Sequence, residues 1–165
     1  MKATGIVRKT LKVKDGMPLE IYTDGDGGIV LRKFMPFSEM TVLSAEFADC
    51  VAQQTGMMVF ITDREKVIAV AGYAQKKMIG KQISPMLESI LDDKDEKLPL
   101  SERNRFIPVV DGIEEAAQVC QAIRSNGQII GAVIIQAKDK KQKVGEFEKK
   151  VVIVAAEFLG KQTTV

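Results

Sequence analysis

Histidine and tryptophan are absent from this 165-residue sequence, and cysteine occurs only twice. Without histidine the chain has neither the commonest general base nor the commonest metal ligand. Ser-His-Asp and Cys-His nucleophile arrangements are excluded with it. Cys50 and Cys120 stand far apart and outside any C-x-x-C pair, so a metal knuckle is not expected. Both read as small buried hydrophobes rather than reactive or bridged thiols. No apolar run approaches the roughly 20 residues that span a bilayer. The opening MKATGIVRK has no secretion-signal core, so a cytoplasmic location is expected. There is no G-x-x-x-x-G-K-S/T phosphate loop and no G-x-G-x-x-G after a strand. Asp24-Gly25-Asp26-Gly27 hints at a calcium loop, but Met35 occupies the twelfth position, where a bidentate Glu is needed. Charged residues 92–96 read as a solvated loop, not a metal site. Together these absences imply no metal and no cofactor. They favour a binding or regulatory protein over an enzyme.

What is present is the composition of a globular protein, 45% hydrophobic and 28% charged. The charge is uneven. Residues 1–36 hold seven Lys/Arg against four Asp/Glu, whereas residues 37–165 hold 17 against 18. A basic head on a neutral body is a weak nucleic-acid footprint. Lysine also guards exposed sheet edges, so a solvated edge strand fits the charge equally well.

Periodicity predicts strands in the head. Leu11 and Val13 alternate with Thr10, Lys12 and Lys14, and Met17, Leu19 and Ile21 alternate with polar residues. A glycine-rich reversal at 24–28 leads into a returning strand over 29–34. Three or four short strands in so few residues bury little surface alone and need a partner. Pro36 marks a boundary. Ser38 is placed to cap a helix over 39–54 whose apolar face is Met40, Leu43, Phe47 and Val51. A hairpin follows over 57–62 and 67–71, then a helix opened by Ser84-Pro85 and running to residue 91. Residues 103–110 read as a strand. A hairpin over 118–124 and 128–137 turns on Asn126-Gly127. A last helix over 144–161 presents Val144, Phe147, Val151, Ala155 and Phe158 inward. The order predicts an antiparallel α+β domain with its helices gathered on one face.

The motifs MKATGIVR (1–8), LKVKDGMPLEIY (11–22) and IVLRKF (29–34) resemble the N-terminal segment of AbrB-like transition-state regulators. FITD (60–63), IAVAG (68–72), GKQIS (80–84) and NGQIIGAVI (126–134) are similar to the sensor half of the stage V sporulation protein T (SpoVT) family. The resemblance covers nearly the whole chain. It implies an AbrB-like DNA-binding and dimerisation domain over 1–36, a linking helix over 37–55 and a GAF-like sensor domain over 56–165. In that family two heads interleave as a swapped-hairpin β-barrel on double-stranded DNA, and dimers pair into tetramers. It thus implies a sequence-specific transcriptional regulator, activator or repressor, of sporulation genes in the forespore. The two amphipathic helices would lie near the dimer interface.

One departure stands out. Relatives carry a further block, a Gly-Arg turn, an apolar strand and a short basic helix, where Arg8 here runs directly into Lys9. Two accounts are open: a true deletion, which leaves the head short of part of its barrel, or a mobile segment left out of the sequence as written. On the family pattern Lys2, Arg8, Lys9, Lys12 and Lys14 would contact DNA. Lysines would meet phosphates, and Arg8 has the fork that suits guanine. Arg32 and Lys33 read better as solvated strand residues. A GAF-type pocket for a small-molecule effector would draw on Phe60, Thr62, Ala71, Tyr73, Phe106 and Ile123, each of which also reads as plain core. If the deletion is real, the alternative is a ligand sensor without DNA binding. A cysteine-dependent GAF enzyme is the third reading.

Overall fold

The computed structural model describes residues 15, 19–33, 41–73, 76–92 and 106–163. The chain divides into two compact units, residues 1–36 and 37–165, and each is described by itself.

In the first unit β1 (Leu19–Thr23) pairs antiparallel with β2 (Ile29–Lys33), with Ile21 opposite Leu31 and Thr23 opposite Ile29. The turn is built on Asp24. Its Oδ1 accepts from the backbone N–H of Asp26 at 3.1 Å and of Gly28 at 2.7 Å. A Cβ on Gly28 would sit 2.5 Å from the same carboxylate, which is why glycine closes the turn. The Asp24 carboxylate is thus a turn cap. The expected strand over 9–14 lies outside the described residues.

The second unit is built on a four-stranded antiparallel sheet of order β4-β3-β6-β5. Its elements are α1 (Thr41–Thr55), β3 (Met58–Thr62), β4 (Val67–Ala71), α2 (Pro85–Leu91), β5 (Gln118–Ser125), β6 (Gln128–Gln136) and α3 (Glu146–Gln162). Local chemistry sets each boundary. Gly56, at φ 68°, ends α1 and donates to Ala52 O at 2.8 Å. Asp63 Oδ1 accepts from Glu65 N at 2.7 Å and Lys66 N at 2.8 Å, closing the β3–β4 turn. Ser84 caps α2, its Oγ accepting from Leu87 N at 3.1 Å and donating to Pro108 O at 2.5 Å. Asn126 and Gly127, both with positive φ, turn β5 into β6.

The sheet is apolar on both faces, because β3, β4 and β6 are near-continuous apolar runs rather than alternating ones. One core layer joins Val59, Ile61, Ile123, Val133 and Ile135 to α1 and α3. The other joins Phe60, Val67, Val70, Cys120 and Ile134 to α2 and the segment around Ile107. The expectation of helices on one face is therefore corrected: α2 covers the face opposite α1 and α3, since a sheet buried on both sides needs a cover on each.

Two further expectations change. Residues 106–110 form no strand, although Ile107, Val109 and Val110 are buried. The Gln118 side chain takes the place of a strand partner: its Oε1 accepts from Ile107 N at 2.9 Å and its Nε2 donates to Ile107 O at 2.7 Å. The helix faces are also rotated in part. Val51 and Ala155 of the expected faces are buried in the layer under α1 and α3 and Phe47 packs partly on it, but they are joined there by Ser44, Ala48 and Ala52 on α1 and by Val152, Ala156, Leu159 and Gly160 on α3. Val144 and Val151 pack partly against this layer, but Phe147 and Phe158 are exposed.

Candidate functional site

The proposed DNA contacts Lys2, Arg8, Lys9, Lys12 and Lys14 lie outside the described residues. The hairpin of β1 and β2 presents apolar side chains to solvent, with Ile21 55% and Ile29 72% exposed.

The six candidate effector residues do not surround a common space. Register settles their faces. Phe60 pairs with Ile134 and Thr62 with Ala132, so Phe60 and Thr62 face the α2 layer. Ala71 and Ile123 belong to the opposite layer, under α1 and α3. Tyr73 is 78% exposed, and Phe106 is half-buried at the start of the 106–117 segment. On the α2 face the buried amides are matched. Gln118 holds Ile107, and Gln136 Nε2 donates to Glu114 O at 3.1 Å. Among the described residues the fully buried Thr62 hydroxyl has no hydrogen-bond partner. It is thus a polar group on this face open to a small molecule or a water.

Reasoning from sequence did not find the two glutamines, nor Arg64. Arg64 pairs with Asp92 at the end of α2 and donates to Ile129 O at 3.5 Å, tying the β3–β4 turn to α2 and β6. The one available signal was Gln136, a polar residue closing the apolar run 129–135 of β6.

Cys120 is fully buried, and burial pushes its thiol far above the ordinary range. It stays protonated and is no nucleophile. Cys50 is exposed on α1, against the expectation that both thiols are buried. Among the described residues no three acidic, histidine or cysteine groups converge as a metal site, and no helix is long and apolar enough to cross a membrane.

The outer surface of α1 and α3 carries an apolar strip among charged residues such as Glu46, Asp49, Lys150 and Glu157. Phe47 stacks on Phe158 with ring centroids 5.3 Å apart. Val42 is 73%, Phe147 58% and Val154 62% exposed. Along α3, Val144, Phe147, Val151, Val154 and Phe158 recur at alternating spacings of three and four, the seam of a helix that packs on another helix.

Comparison with known proteins follows the same division. The solved GAF domain of an Acinetobacter phosphoenolpyruvate-protein phosphotransferase is 13% identical, with a TM-score of 0.51 over 79% of this chain and 83% of that one. A type II free methionine-R-sulfoxide reductase from Thermoplasma acidophilum is 12% identical, with a TM-score of 0.50 over 75% of this chain and 94% of that one. These likenesses establish a GAF-like fold. Stage V sporulation protein T of Bacillus subtilis (strain 168) is 38% identical over 179 aligned positions, covering 98% of each chain. The family described as stage V sporulation protein T C-terminal, transcription factor, matches residues 39–164. With both its GAF-like unit and nearly its whole length so matched, the chain belongs to the stage V sporulation protein T family, a family of transcriptional regulators.

Proposed function

We propose that this regulator binds double-stranded DNA in a sequence-specific way as a homo-oligomer and controls sporulation genes in the forespore, as activator or repressor. The observation that carries the reading is the exposed hairpin. A two-stranded ribbon with Ile21, Tyr22 and Ile29 in solvent does not hold its shape alone. Entwining two heads as an AbrB-like swapped-hairpin barrel covers those side chains. It also gathers Lys2, Arg8, Lys9, Lys12 and Lys14 of both copies against one duplex. The apolar seam of α1 and α3 supplies a second self-contact near the dimer interface, and it fits another copy of itself by the coiled-coil spacing of α3. Phosphate contacts from the lysines give affinity that falls with salt, and Arg8 reads a base edge.

The test is a gel shift of promoter DNA across a salt series, with sedimentation of the same preparation. Salt-dependent retardation by a dimer or tetramer is the expected result. A folded monomer at micromolar concentration that retards no DNA refutes it.

A second reading, a ligand sensor that does not bind DNA, is favoured by two observations. The alignment with the Bacillus relative spans 179 positions against the 165 residues of this chain, so at least 14 of those positions have no residue here. Thr62 also keeps a buried hydroxyl on the α2 face without a partner among the described residues. An intact mass near 18.2 kDa, no DNA retardation and a ligand-induced rise in melting temperature would establish it.

A further inference from the structure

We infer that the loop joining β6 to α3 is a second, sequence-independent contact for the phosphates of double-stranded DNA, carried by the GAF-like unit itself. The inference rests on the DNA-binding reading above and adds a surface to it.

Lys138, Lys140, Lys141 and Lys143 are all exposed on this loop. None of their ammonium groups makes an ion pair or hydrogen bond with a described residue. The one acid among them, Asp139, is occupied by the backbone: its Oδ1 accepts from Lys141 N at 2.9 Å and Gln142 N at 3.0 Å. Gln142 then clamps the loop. Its Oε1 accepts from Lys138 N at 2.9 Å, and its Nε2 donates to Gly56 O at the end of α1, at 3.2 Å. Four like charges are thus held together on a fixed frame within a unit whose Lys/Arg number 17 against 18 Asp/Glu. The clamp holds the backbone that carries the four lysines, so an anion meets them with less of the loop left to order.

The same end of the sheet bears Tyr73. Val59 pairs with Ala71 and Met58 with Gln136, so the chain leaves β4 and β6 on either side of the start of β3. Gly72, at φ 82° and with a Cβ position only 2.2 Å from Met57 O, fixes the exit that turns Tyr73 outward. The acids Glu114 and Glu115 stand at this end too, on its β5 side, where Gln136 Nε2 donates to Glu114 O and Ala137 N to Ala117 O.

The partner follows from charge and context. A transcriptional regulator meets DNA as its polyanion. A surface built from lysine without arginine suits backbone phosphates rather than base edges.

The test uses the full chain with Lys138→Gln, Lys140→Gln, Lys141→Gln and Lys143→Gln combined, and duplex binding followed by anisotropy across a salt series. The slope of log affinity against log salt should lessen by about 0.9 for each phosphate no longer neutralised, so by about 3.6 if all four lysines engage. The melting temperature should stay unchanged, because the four side chains are exposed. Gln142→Ala, which frees the loop without changing its charge, should weaken binding by less. An unchanged slope in the quadruple variant, with wild type binding normally, overturns the inference. An unchanged slope with an altered sedimentation coefficient also overturns it and reassigns the loop to a protein contact. A wild type that binds no duplex instead refutes the DNA-binding reading itself.

Discussion

Replacing Gly160 by alanine sets two physical effects against each other. Gly160 lies in the last turn of α3, where helix propensity favours alanine over glycine by at most about 1 kcal/mol. Packing opposes it. A Cβ at this position would lie 2.1 Å from the carbonyl oxygen of Arg124 and 3.1 Å from its carbon. Carbon approaches a carbonyl oxygen to no less than about 3.3 Å, so α3 must retreat from β5 by about 1 Å. The obstacle is backbone and cannot rotate away. The cost therefore belongs at the upper end of the overpacking range, about 3 kcal/mol. The net effect is about 2 kcal/mol of destabilisation, which lowers the melting temperature of a chain this size by about 4–8 °C. The assay is thermal melting by circular dichroism at fixed chain concentration, since assembly also contributes to apparent stability. The retreat also moves Phe158 against Phe47, so self-association measured by sedimentation should weaken in the same variant. An unchanged or raised melting temperature for Gly160→Ala would refute the claim that glycine is there for close approach.

Three more outcomes follow from buried groups. Gln118→Ala removes both hydrogen bonds to Ile107 and leaves a buried backbone pair without partners, so urea denaturation should show a loss of about 2–4 kcal/mol, with faster hydrogen exchange at Ile107 N–H. Thr62→Val removes a buried hydroxyl that has no partner while keeping the side chain's shape. Stability should hold or rise by about 1 kcal/mol, and a loss above that value would mean the hydroxyl is hydrogen-bonded. In native protein at pH 8 a thiol reagent should label Cys50 alone, with Cys120 reacting only in urea. Because burial keeps the Cys120 thiol neutral when folded, its contribution is intact below the ordinary thiol range. It is lost as pH rises above that range, where only the unfolded thiol ionises, at up to about 1.4 kcal/mol per pH unit.

Hairpins were readable because their turns are local chemistry. Asp63 and Asn126-Gly127 work through bonds and dihedrals within four residues. The caps of α2 and α1, Ser84 and Gly56, were equally visible. Helix faces were legible in part. Val51 and Ala155 do meet the sheet, but scoring by large apolar side chains also selects Phe147 and Phe158 and passes over Ala156 and Gly160, whose smallness permits close approach. The large residues form the outer seam. The strand expected around Ile107 failed because a side chain, that of Gln118, replaced a neighbouring strand, and no periodicity signals that substitution. The effector candidates divide by parity. Thr62 and Ile123 sit on opposite faces of the sheet, and only the register of β3 and β5 on β6 shows it. The proposed DNA contacts lie outside the described residues.

The order β4-β3-β6-β5 has a consequence for how this unit comes into being. Each outer pair, β4 with β3 and β5 with β6, joins neighbours along the chain and closes through a short turn, an event of microseconds. The inner seam, Met58 to Gln136, unites the two halves of the domain across the whole intervening sequence. That union brings distant segments together before any contact rewards the search, so it sets the folding rate. On the ribosome the first hairpin must wait, its apolar strands β3 and β4 in need of shelter, until β6 has emerged.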